Sequence, residues 1–78
     1  MAANIISNKE FSYSGGTKKA LKLVVDSDGY NREIVMWPDY DSGKLSYPSI
    51  NDGDVVMLIV KKRDGKDPSI VEIIVDFL

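Results

Sequence analysis

The chain contains no cysteine and no histidine. Without thiols there is no disulfide and no thiolate metal site, and without imidazole there is no ordinary neutral-pH base and no nitrogen ligand for zinc. Long apolar stretches are missing too. The longest run, 55–60, has six residues, far short of the roughly 20 that a membrane-spanning helix needs. The first residues, MAANIISNKE, lack the charged start and long apolar middle of a secretory signal, so the expected compartment is the cytoplasm. Neither G-x-x-x-x-G-K-[ST] nor G-x-G-x-x-G occurs, which removes the usual loops for nucleotide phosphates. Together these absences point away from an enzyme, with no cofactor and no metal expected.

An excess of positive charge is also lacking, since the net charge is -2. Its distribution says more than its sum. Residues 1–25 carry +3, 26–60 carry -5, 61–66 carry +3 and the remainder -3. Two compact basic blocks, Lys18–Lys19–Lys22 and Lys61–Lys62–Arg63–Lys66, are therefore set within an acidic chain. Three D-x-D pairs, Asp26/Asp28, Asp39/Asp41 and Asp52/Asp54, lie in or beside turn signals. They lack the ligand spacing of a calcium loop and are read as turn chemistry.

Seventy-eight residues, 44% of them hydrophobic, make one domain near the lower size limit for a single core. The best-defined stretch is 18–38. Leu21, Leu23 and Val25 alternate with Ala20, Lys22 and Val24, the period-two pattern of a half-buried strand. Ser27-Asp28-Gly29 supplies a turn. The return strand, 32–37, is expected to carry Ile34 and Met36 inward and Val35 and Trp37 outward beside Lys22, and Pro38 ends it. A first strand is read over 4–13, followed by the loop Ser14-Gly15-Gly16-Thr17. After Pro38 an irregular link has room for one helical turn around Asp39–Asp41, with Leu45, Tyr47 and Ile50 as anchors to the core. Strand four, 55–60, is apolar without a break, which predicts burial on both faces. Asp64-Gly65 signals a hairpin turn within a basic loop. Strand five, 70–77, is expected to point Val71, Ile73, Val75 and Phe77 inward.

Five short strands, two hairpins and a longer connection between strands three and four predict an all-β, five-stranded Greek-key barrel of the OB type. An SH3-like barrel would place its long loop nearer the N-terminus, where this chain has only SGGT.

The run ALKLVVDSDGYNREIVMWP, then a link, then INDGDVVMLIVKKRDG and an Ile/Val-rich final strand, resembles the OB-fold nucleic-acid-binding domain of the bacterial replicative DNA polymerase III alpha subunit. The matching positions are Asp26–Gly29, Trp37-Pro38 and Gly53-Asp54. The link departs from that pattern, because the family has an amphipathic helix where this chain has Gly43 and Pro48. The resemblance implies a domain of a larger replication protein that binds single-stranded DNA, more readily than RNA, without catalysis.

Such barrels engage oligonucleotides on strands two and three and through the loops joining strands one to two and four to five. Lys18, Lys19, Lys61, Lys62, Arg63 and Lys66 are therefore expected to bracket a groove. Its floor would carry Lys22, Arg32 and Trp37, with Tyr13 as a second stacking surface. The alternative expectation is a protein-interaction or dimerisation module. Its contact would be an apolar outer patch of Val56, Leu58, Val60, Ile70 and Ile74, unless the link folds over that side.

Overall fold

The computed structural model describes residues 1–76. Its strands are β1 (Ala2–Tyr13), β2 (Lys18–Ser27), β3 (Tyr30–Met36), β4 (Val55–Arg63) and β5 (Lys66–Ile74). They close into a barrel in the order β1-β2-β3-β5-β4. This is the predicted all-β, five-stranded Greek-key barrel, OB-like in its strand order. Every pairing is antiparallel except β3 with β5, which run parallel and meet at one register position, Val35 opposite Ser69.

β1 serves two neighbours. Its first residues, Ala2–Asn4, pair with Met57–Val55 of β4, whereas Asn4–Tyr13 pair with β2. A bulge between Ile5 and Ser7 makes this possible: Ile6 is left without an opposite number, and the strand bends from one neighbour to the other. Ile5 stays buried while its N–H donates to the Asp54 carbonyl at 2.8 Å and its carbonyl accepts from the Gly53 N–H at 2.7 Å. That pair of bonds ties the end of the link to the barrel wall. The core behind it is aliphatic, with Leu21, Leu23, Val25, Val56 and Leu58 fully buried and Ile34, Met36, Ile70 and Ile73 closing it.

The hairpin between β2 and β3 is tighter than predicted. Ser27 pairs with Tyr30 across the two-residue turn Asp28-Gly29, and both turn residues have positive φ, 54° and 82°. This is the turn whose twist suits adjacent strands, and it allows β3 to start two residues before the expected Arg32. The basic stretch after β4 is likewise mostly strand. Arg63 pairs with Lys66 across Asp64-Gly65, so Lys61, Lys62, Arg63 and Lys66 sit on a hairpin rather than in a free loop.

Three expectations about faces are corrected. A bulge sets Val60 opposite Ile70 and Ile59 opposite Glu72, with Val71 unopposed. The phase of β5 is thereby reset: Ile70 and Ile73 face the core, and Val71 is 54% exposed. The expected inward row of Val71, Ile73, Val75 and Phe77 fails for Val71. Val75 lies beyond β5 and is exposed, and Phe77 lies outside the described residues. On β4, Val56 and Leu58 point inward, so they leave the proposed outer patch, while Val55, Ile59 and Val60 are exposed. The link does not cover them. It passes without a helix, and Leu45, Tyr47 and Ile50 pack against the barrel core instead.

Among the described residues no helix is long and apolar enough to cross a membrane. Three of the six D-x-D carboxylates accept hydrogen bonds, two within their own turns and one from β1. Asp39 Oδ2 accepts from the Ser42 N–H at 2.9 Å, Asp54 Oδ2 from the Asn51 N–H at 2.8 Å, and Asp52 Oδ1 from the Asn8 amide at 2.8 Å.

Candidate nucleic-acid interface

The outer face of β1, β2 and β3 follows directly from register. Phe11 lies opposite Ala20 and Tyr13 opposite Lys18, while Leu21 lies opposite Met36. Trp37, the residue after Met36, therefore stands next to Ala20 on the side away from Phe11. Ala20 is 0% exposed although it belongs to the outer row. The reason is the aromatic cluster around it. The Phe11 and Trp37 ring centroids are 5.9 Å apart at 81°, and those of Tyr13 and Trp37 are 5.2 Å apart at 83°. Edge-to-face contacts of this kind are favourable beyond the area they bury. The small side chain at position 20 leaves room for the two flanking rings to meet, and Trp37 retains 39% of its surface in solvent.

Trp37 borders two clefts. One, of about 1010 Å³, is lined by Tyr13, Lys18 and Trp37 on one side, by Lys61, Arg63 and Val71 on another, and by the link from Pro38 to Asp41. The other, of about 630 Å³, lies between Trp37 and the β4–β5 turn, with Val35, Arg63, Lys66 and Pro68 in its walls. The basic blocks thus meet in space: Lys18 from the start of β2 faces the same cleft as Lys61 and Arg63 from the end of β4. Arg63 contributes to both clefts and Lys66 to the second.

The other expected residues are placed differently. Lys19 lies in the inward-facing row with Leu21. It borders a separate cleft with Glu10, Thr17 and Leu45. Lys22 is on the outer face, but its Nζ lies 3.9 Å from Glu33 Oε1, and it lines neither Trp37 cleft. Arg32 belongs to the row of Ile34 and Met36, on the strand face opposite Val35 and Trp37. It is exposed near the hairpin turn, so the floor expected from Lys22, Arg32 and Trp37 reduces to Trp37. Lys62 is exposed and lines neither cleft.

Tyr40 was not among the expected residues. It is 99% exposed at the turn of the link and lines the larger cleft with Tyr13 and Trp37. A tyrosine within DYDSG was the available signal, and it becomes informative only once the link is seen to run beside Trp37. The turn that presents it is well defined. Asp39 N–H donates to the Lys44 carbonyl at 2.9 Å and Gly43 N–H to the Asp39 carbonyl at 2.8 Å. The hydrogen bonds from Ser42 hold the Asp39 carboxyl below its usual range, so it remains an ionised acceptor for that turn at neutral pH.

The arrangement suits a chain of alternating anionic and aromatic groups. Three cations and three aromatic rings share one open cleft, and among the described residues no group of three carboxylates is placed to hold a metal ion. Comparison with known protein families, with curated proteins and with solved structures gives no match to this chain.

Proposed function

We propose that this chain is a non-catalytic OB-fold domain that binds single-stranded DNA weakly and with little sequence preference, as an accessory domain of a replicative DNA polymerase. The observation that carries the binding reading is the shared cleft, where Lys18, Lys61 and Arg63 meet Tyr13, Trp37 and Tyr40. Cations at the rim neutralise phosphates, and aromatic faces stack bases of any identity, the combination used by sequence-tolerant single-strand binders. The association with a polymerase rests on the residue string described above.

The test is a titration of Trp37 fluorescence and backbone amide shifts with a single-stranded oligonucleotide at low and moderate salt. Expected are perturbations at Trp37, Tyr40, Lys18 and Arg63 that weaken as salt rises. Absence of any change at high micromolar DNA in low salt would overturn the reading.

A second reading is favoured by Ile59, Val60 and Val71, which are exposed on adjacent strands of β4 and β5. Uncovered apolar surface of this kind marks a protein contact. Under that reading the sedimentation coefficient rises with protein concentration, and Ile59→Lys abolishes the rise.

A further inference from the structure

We propose that the larger Trp37 cleft reads one base of the bound strand by its Watson–Crick edge, with Asp41 as the acceptor and guanine as the preferred base. This rests on the single-stranded nucleic-acid reading and adds a local preference to otherwise sequence-tolerant binding.

The lining of the cleft carries both signs of charge. Lys18 from β2 and Lys61 and Arg63 from β4 supply cations, and the link supplies Asp39 and Asp41, with no ion pair between the two sets among the described residues. A single strand is itself two-sided, with anionic phosphates along one edge and uncharged hydrogen-bonding groups on its bases. Repulsion keeps phosphates from the two aspartates and attraction draws them to the three cations. The strand therefore lies with its backbone along Lys18, Lys61 and Arg63, its bases stacked against the aromatic rings, and its base edges directed at the link.

The two aspartates are not equivalent. Asp39 is occupied in holding the turn through the Ser42 N–H at 2.9 Å. Asp41 lines the same cleft, and its carboxylate has no hydrogen-bond or ion-pair partner among the described residues. An ionised carboxylate only accepts hydrogen bonds, at two oxygens. Guanine offers N1–H and N2–H side by side and can satisfy both. Cytosine and adenine offer one amino group, and thymine offers a single N–H between two carbonyl oxygens that a carboxylate repels. Reading exposed bases by their Watson–Crick edges is how single strands acquire sequence preference.

The experiment compares oligothymidylate strands carrying one central dG, dI, dC or dA with an all-dT strand, titrated against the full chain at low salt. In the unmodified chain the dG strand binds about tenfold tighter than all-dT, the low end of a bidentate contact because the site is open. Inosine, which lacks the N2 amino group, loses most of that gain. Asp41→Ala, at an exposed turn position, brings the dG to dT ratio to one while the all-dT strand still binds. If Asp41→Ala tightens every strand alike and leaves the ratio unchanged, the carboxylate only repels phosphate and the base-reading role is overturned, while nucleic-acid binding stands. If no strand binds the unmodified chain at low salt, the binding reading itself fails and takes the preference with it.

Discussion

Trp37 is the residue on which structure and ligand meet. It covers Ala20 from one side and offers the rest of its surface to two clefts. Trp37→Ala is expected to weaken oligonucleotide binding by about 1–3 kcal/mol, the range for losing one stacking surface. Trp37→Phe, which keeps an aromatic roof, loses less and leaves the melting temperature nearer that of the unmodified chain. Leu23 is the contrasting case. It is 0% exposed in the aliphatic core, and Leu23→Ala is expected to cost about 2–5 kcal/mol by urea denaturation, a large part of the stability of so small a domain.

Tyr47 supplies a pH-dependent contact at the same scale. Its hydroxyl donates to the Glu10 carboxylate, and that bond, with partial burial, pushes the Tyr47 hydroxyl up to about 12 from an ordinary 10.0. The folded state holds this proton more tightly than the unfolded chain does. The stabilisation is complete below pH 10 and disappears as pH rises from about 10 to about 12. Tyr47→Phe removes it. The difference in denaturation midpoint between the two proteins should therefore shrink across that interval; a constant difference would show that the phenol proton is not linked to folding.

At the scale of elements, the two short hairpins set the geometry of the barrel. At Gly29 the left-handed conformation is obligatory for the turn, and a Cβ there would meet no atom within 4 Å. Gly29→Ala thus tests backbone strain alone and is expected to cost about 1–2 kcal/mol in a urea melt. The bulges were less legible. The string SIVEIIVDF alternates convincingly from Val71 onward, and nothing local marks Val71 as the residue to be left out. Its phase is reset because strand β5 must pair with β4 on one side while meeting β3 at Val35 on the other. The link was legible in part. Its anchors Leu45, Tyr47 and Ile50 do reach the core, but their packing direction depended on where β1 receives residues Gly53 and Asp54.

At the scale of the whole molecule, the net charge of -2 conceals a local field. Three cations on the larger cleft imply a log–log salt slope of about -2 for single-stranded DNA, taking about 0.7 per neutralised phosphate. Paired reversal of Lys61 and Arg63 to Glu should abolish binding at low salt. Paired reversal of Arg32 and Lys62 to Glu, which adds the same charge away from both clefts, should change affinity far less; equal losses would mean that only overall charge matters.

The sequence by itself determined the strand count, the turns and the inward rows of β2 and β3. Those depend on local rules: period-two alternation, Asp-Gly at turns and Pro38 at a strand end. It also separated the chain's charge into blocks and removed thiolate and imidazole chemistry by composition. Only the tertiary structure decided which members of the blocks converge. Closing the sheet brings β2 and β4, some forty residues apart in sequence, to opposite sides of one cleft. The same closure leaves Lys19, Lys22, Arg32 and Lys62 outside it and brings Tyr40 and Asp41 in. Face parity and bulge position fix where each side chain emerges, and both follow from pairing partners that no local stretch contains.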